Sequence, residues 1–234
     1  GGYNVLLGDS AGTTLSTSNQ NTLIGASAGL LVTGADNTTL GFQAGNTISS
    51  GAENISIGSG SDCVATLDNQ VAIGYGAVTA AANQVRLGNT SVDDIDGQVA
   101  LTATSDSRIK TNVQDLTAGL DFINALRPVS FTRVHPAEWP EEIRDRRYKE
   151  GRTLVDADGN ETIVSTPSFD VDTQQPVKDG FDSTTRSDGL LAQEVQAACE
   201  SLGVTFSGIK QSPNGKMGIQ YSLLVAPLIK AVQE

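Results

Sequence analysis

"NTLIGASAG", residues 21–29, is one copy of a motif that decides how the first part of this chain is built. "NVLLGDSAG" begins at Asn4, "NTTLGFQAG" at Asn37 and "NISIGSGS" at Asn54. "NQVAIGYGA" at Asn69 and "NQVRLGNTS" at Asn83 continue the series. The marker glycines Gly8, Gly25, Gly41, Gly58, Gly74 and Gly88 stand 17, 16, 17, 16 and 14 residues apart. Each copy predicts a short strand, a glycine turn and a second short strand. The glycine permits a positive φ or a close backbone approach. Alternation within "NTLIG" turns one of Leu23 and Ile24 inward and the other outward. One such unit cannot bury its apolar face, but stacked units can, which predicts a β-roll or β-solenoid over residues 1–90. The inward positions offer only Val, Leu, Ile and Ala, so a single roll would be thin. Three chains side by side would share an axial core, and a homotrimeric shaft is expected. The repeated Asn and Gly residues read as turn requirements, not as binding groups. "NTSVDDID", residues 89–96, breaks the period and reads as a capping turn. It leads into a connector, so that residues 91–104 join the shaft to the C-terminal half.

Composition supports this division. The 234 residues carry a net charge of −12 and only 5% aromatics, too few large side chains for a thick core. Residues 1–104 hold one basic residue, Arg86, whereas the other basic residues all lie beyond Ser105. An acidic chain without a basic run argues against nucleic acid or anionic membranes as partners. No apolar run approaches the roughly 20 residues of a membrane span, so no membrane insertion is expected. No secretory signal is visible; "GGYN" starts in mid-repeat and leaves an upstream signal open. Cys63 and Cys199 lie in different halves, without metal-ligand spacing, and read as buried free thiols. Neither a cofactor nor a metal is expected.

Beyond Ser105 the texture becomes α+β. Leu116, Leu120, Ile123 and Leu126 have helical spacing within residues 115–126, with Asp115 or Thr117 as a cap. "RPVSFTRV", residues 127–134, reads as a strand. Residues 136–188 are polar and punctuated by Pro and Gly, with a hairpin expected around Asp158 and Gly159. Asp156, Asp158 and Asn160 alternate as in a calcium loop, but the glutamate ligand is missing at the required distance. Residues 188–203 form a strand-to-helix passage. Residues 215–234 form a strand running into a long apolar helix, expected to continue past the last residue. His135 is the single histidine and has no sequence-near nucleophile. It reads as a surface or loop residue, which removes a Ser-His-Asp triad from contention. Trp139 reads as packing.

At the seam between the two textures stands "TATSDSRIKTNV", residues 102–113. On spacing alone, Ser105 and Asp106 could cap a helix and Lys110 could be a solvated side chain. Four blocks in order carry a more specific meaning: "SDSRIKTNV" (105–113), "ALRPVSF" (125–131), "GLLAQEV" (189–195) and "YSLLVAPLIKAVQE" (221–234). Together they resemble the phage intramolecular chaperone domain of the self-cleaving peptidase S74 type, found at the C-terminus of endosialidases and tail fibres. The shaft motif resembles head repeats of trimeric autotransporter adhesins and repeats of phage tail fibres.

The resemblance implies a domain, residues 105–234, that trimerises, helps the upstream β-structured fibre to fold and then cuts itself off. The cut would fall between Thr104 and Ser105. Ser105 matches the nucleophile and Lys110 the general base. Asp106 and Arg108 match motif positions of auxiliary role, and Arg108, Asn112 or a backbone N–H could stabilise the oxyanion. Residues 136–188 depart from the pattern as a variable insertion, and no site residue is assigned there. The implied setting is a virion tail fibre or tailspike, assembled in the host cytoplasm, with the chaperone released after cleavage. A host cell-surface glycan or protein is the partner such a fibre would meet.

The chemistry is self-consistent. A serine hydroxyl needs a base, and a lysine serves only when neutral. An aqueous lysine titrates at about 10.4, so neutrality near pH 7 costs about 4–5 kcal/mol of environment. Burial is the usual source, and packing of a trimer would supply it. Attack by Ser105 on its own preceding carbonyl passes through a five-membered ring to an ester that water hydrolyses; attack by a neighbouring subunit's serine is the other route. A second reading is a trimeric adhesin or structural fibre whose C-terminal domain trimerises and never cuts. A polysaccharide-degrading spike lacks support, because the repeats show no paired carboxylates in a suitable context.

Overall fold

A computed structural model of the chain describes residues 2–144, the strands 152–155 and 161–164, and residues 181–234. The chain forms two compact units. The first comprises Gly1–Asp93 with Val134–Ser183, and the second Asp94–Arg133 with Thr184–Glu234.

The first unit is a parallel β-solenoid. Its strands are β1 (Val5–Leu7), β2 (Thr22–Ile24), β3 (Thr38–Leu40), β4 (Ile55–Ile57), β5 (Val71–Ile73) and β6 (Val85–Leu87). They pair in sequence order, in parallel and in register, so that Leu6, Leu23, Thr39, Ser56, Ala72 and Arg86 fall in one column. Three-residue strands follow from the motif: Asn before (Gln70 and Gln84 in the last two copies) and Gly after bracket a triplet whose middle residue points inward. Leu23, not Ile24, takes that place and is fully buried. Leu23 packs with Val32, Ile48, Cys63, Ala72 and Ala77 in a narrow core, as thin as the small side chains predict.

The expected second strand of each repeat is mostly absent; the corresponding legs are turns, with one isolated bridge between Asp62 and Val78 among the described residues. Residues such as Ser10, Ser27 and Gln43 take left-handed φ near 55° there, which breaks an extended run. Rung-to-rung hydrogen bonds persist nevertheless, as from Gly29 N to Ala44 O and from Thr33 N to Ser49 O, both 2.8 Å. Gly25 shows why the marker must be glycine: its φ is +132°, and a Cβ would stand 2.3 Å from the Gly41 carbonyl oxygen.

The repeated asparagines do more than permit turns. Asn21, Asn37 and Asn54 are fully buried. Asn37 N donates to Asn21 Oδ1 at 2.9 Å, and Asn54 N donates to Asn37 Oδ1 at 3.1 Å. Gln70 N continues the ladder onto Asn54 Oδ1 at 3.0 Å. Each amide therefore satisfies the backbone of the next rung inside the core. Also in this unit, β7 to β9 being numbered along the chain, β8 (Arg152–Val155) pairs antiparallel with β9 (Glu161–Val164). Asp156, Asp158, Gly159 and Asn160, which carry the expected hairpin turn and the calcium-like spacing, lie outside the described residues.

The second unit is α+β. Helix α1 (Leu120–Ala125) precedes β7 (Val129–Phe131), which pairs antiparallel with β10 (Ser187–Gly189). Helix α2 (Ala192–Leu202) ends at Gly203, which takes the left-handed C-cap geometry. A hairpin of β11 (Ile209–Gln211) and β12 (Met217–Ile219) leads to helix α3 (Val225–Gln233). Ala118, Phe122, Val195 and Cys199 form the core. Helix α1 is shorter than the spacing predicts, and neither Asp115 nor Thr117 caps it. The Glu234 carboxylate does so, accepting from Leu120 N at 2.6 Å from 114 positions away. Phe122 is buried, while Leu116 and Leu120 are exposed. Cys63 and Cys199 are both buried, and neither forms a disulfide.

Candidate functional site

Ser105 and Lys110 meet because the chain between them makes one tight turn. Ser107–Ile109 is a single turn of 3-10 helix, and Asp106 caps it by accepting from Arg108 N at 2.8 Å. At the far end Lys110 N donates to Ser107 O at 3.2 Å, and Lys110 leaves the turn extended. The turn folds back, and Lys110 Nζ donates to Ser105 Oγ at 2.6 Å. Five positions of sequence thus become one hydrogen bond. A neutral amine would accept the serine proton across the same contact.

Thr104, Ser105, Arg108 and Lys110 are all exposed, so the Thr104–Ser105 bond lies open within the single chain. Asp106 and Arg108 form a fork: Arg108 Nε donates to Asp106 Oδ1 at 3.0 Å, and Nη2 donates to Oδ2 at 2.6 Å. This pairing, together with the Arg108 backbone N–H, holds the Asp106 carboxyl below the usual carboxylate range. The guanidinium is raised in turn by the carboxylate beside it. Arg108 is therefore committed to Asp106 rather than to the Thr104 carbonyl. Asn112 takes a left-handed φ of 53°, and among the described residues no hydrogen bond ties its amide to the Ser–Lys pair.

The other three blocks pack onto one another. Arg127 Nε donates to Glu194 Oε2 at 3.1 Å, joining "ALRPVSF" to "GLLAQEV". Leu190 N donates to the Tyr221 hydroxyl at 2.8 Å, joining "GLLAQEV" to "YSLL". The Ser105–Lys110 turn stands apart from this framework, since no residue of Ser107–Ile109 is buried. No local pattern singles out Tyr221 or Glu234; their partners lie 31 and 114 positions away. His135 and Trp139 take no part in the site: the His135 ring packs edge-on against Phe181, and Trp139 Nε1 donates to Val134 O.

Comparison with known families adds one finding. A family model described as the chaperone of endosialidase, of the S74 peptidase class, matches residues 105–204. The match opens on Ser105 itself and takes in the first three blocks, while "YSLLVAPLIKAVQE" lies past its end. A search of curated proteins finds no match. From Ser105 to Val204 this chain matches the chaperone of endosialidase, the peptidase S74 family, and this stretch follows a parallel β-solenoid in the sequence.

Proposed function

We propose that this chain is part of a trimeric phage tail fibre or tailspike whose domain from residue 105 onward assists folding of the β-solenoid and then releases itself. Release is a single cut between Thr104 and Ser105. Lys110, as a neutral amine, takes the Ser105 hydroxyl proton, and Ser105 Oγ attacks the Thr104 carbonyl carbon. The C–N bond breaks as the nitrogen of Ser105 gains a proton, leaving an ester on Oγ. Water hydrolyses that ester, restoring the hydroxyl and freeing a carboxylate on Thr104. The enzyme works once.

The observation that carries this reading is the 2.6 Å contact between Lys110 Nζ and Ser105 Oγ at the first residue of the family match. Trimerisation is supported by apolar surface left exposed in each unit. On the solenoid, Leu40, Ile55, Ile73, Val85 and Leu87 face outward along the parallel sheet. On the last helical segment, Tyr221, Val225, Leu228 and Val232 are exposed at spacings of 4, 3 and 4, the pattern of a coiled-coil seam. Surfaces of this kind are apolar enough to need a partner.

Expression of the full chain and a denaturing gel test the reading. Two fragments with the sizes of 1–104 and 105–234, and a new N-terminus at Ser105 by mass spectrometry, are expected. Ser105→Ala and Lys110→Ala each give one intact band. Persistent cutting at this bond in either variant sinks the assignment, and an uncut wild-type trimer favours a purely structural fibre.

A further inference from the structure

In sequence the Asp106–Arg108 fork lies between the two reacting residues, and the reaction as written does not use it. Asp106 is the neighbour of Ser105, and its carboxylate is on the same small turn as the Lys110 amine. A carboxylate next to an ammonium stabilises the charged form. A lysine used as a base must avoid that partner, because its charged form cannot accept a proton. Here the carboxylate is already occupied. Asp106 accepts from Arg108 Nε and Nη2 and from the Arg108 backbone N–H. The closest ion-pair contact is 2.6 Å, and Lys110 makes no ion pair among the described residues. The Lys110 amine is left with the Ser105 hydroxyl.

We propose that Arg108 is a positioning residue that holds the Asp106 carboxylate away from Lys110, so that the amine can lose its proton and serve Ser105. This rests on the Ser–Lys reading of the cut. The charged groups on this turn are Asp106, Arg108 and Lys110, and among the described residues no helix or strand buries the turn. The fork has two effects. It caps the 3-10 turn through Asp106, which sets the geometry. It also neutralises the carboxylate that shares this turn with the base. Shielding by water makes the second effect small in an open turn and larger once a trimer covers it.

The two effects separate experimentally. Full-length chain is purified unfolded in urea and refolded across a pH series, and the rate of the single cut is read on gels. Assembly is followed in parallel in a Ser105→Ala background. Arg108→Gln should move the midpoint of the rate–pH curve upward by about one unit, making cutting at neutral pH about tenfold slower. The double variant Asp106→Asn with Arg108→Gln should bring the midpoint back, since Asn still offers an acceptor for the cap but no charge. Arg108→Lys should also restore it. Arg108→Ala is a second removal of the guanidinium. A uniform slowing at every pH, a midpoint still raised in the double variant, or failure of both removals to assemble would each overturn the proposal. If Ser105→Ala or Lys110→Ala still cuts, the Ser–Lys reading fails instead. If both are inactive and the midpoints do not move, the fork proposal alone fails.

Discussion

Lys110 Nζ reaches Ser105 Oγ at 2.6 Å across a turn that buries none of its own residues. Proximity is therefore already present in one chain, and assembly is not needed to create it. What a single chain lacks is exclusion of water, because both residues are exposed. If the trimer supplies that exclusion, cutting must depend on encounter between chains. Refolding at a series of chain concentrations should show the half-time of cleavage lengthening on dilution. A half-time independent of concentration would mean that a lone chain is competent, and desolvation by partners would be discarded as the gate.

The same dependence on partners predicts an effect far from the dyad. Val225 and Leu228 lie on the exposed side of α3, away from the buried Pro227. Val225→Asp or Leu228→Asp should leave the α1–α3 packing of each chain in place, because neither side chain belongs to the buried core. Under the proposed assembly each should abolish the trimer by sedimentation and slow the proposed cut by more than about tenfold, with Ser105 and Lys110 unchanged. A variant that remains trimeric and cuts at the wild-type rate would remove α3 from the interface.

The solenoid is legible because a repeat declares itself: each copy sets an apolar-rich triplet between an amide residue (Asn, or Gln in the last two copies) and Gly, and Leu23 against Ile24 needs only alternation. Its second leg reads as strand yet folds as turn, since left-handed φ at Ser10, Ser27 and Gln43 is not written in those residue types. The asparagine ladder stays hidden for a related reason. A buried amide and a turn amide are the same letter, and only stacking shows that Asn21 Oδ1 serves the next rung. The motif pairs Ser105 with Lys110, and a local turn brings the two side chains to 2.6 Å. Helix α1 is placed by its spacing but overextended, because its true cap, Glu234, arrives from the other end of the chain and no window of sequence contains both.

Glu234 gives the second unit a dependence on acid. Its carboxylate accepts from Leu120 N at the start of α1, and pairs with Lys230 at 2.8 Å. The Leu120 N–H first, and Lys230 second, hold the carboxyl below its ordinary value of 4.5. A carboxyl depressed in the folded state adds stability above its unfolded value, and the gain disappears as pH falls through the folded value. Wild type should therefore exceed Glu234→Gln in thermal midpoint at neutral pH, with the difference closing as the pH is lowered below about 4.5. The Gln side chain can still accept from Leu120 N, so the comparison isolates the charge. A gap that stays constant into acid would show that Glu234 acts by shape alone.

The asparagine ladder predicts that a single interior amide carries more stability than its size suggests. Asn37 is fully buried, with Nδ2 donating to Ala35 O and Gly51 O at 3.0 Å each and Oδ1 accepting from Asn54 N at 3.1 Å. Asn37→Ala would leave the Asn54 N–H and the Gly51 carbonyl short of partners in a core too narrow to admit replacements, while Ala35 O keeps Glu53 N at 3.1 Å. Each buried group left unpaired costs about 1–3 kcal/mol, so a loss of about 2–4 kcal/mol is expected after partial relaxation. Asn37→Asp should cost more, since it keeps the acceptor but buries a charge against the same two carbonyls. Urea unfolding of the uncut Ser105→Ala chain measures both. Because adjacent rungs share these bonds, the loss should appear as reduced cooperativity of the whole solenoid, not as fraying of one turn. A shift under about 1 kcal/mol for Asn37→Ala would return the asparagines to the role of turn residues.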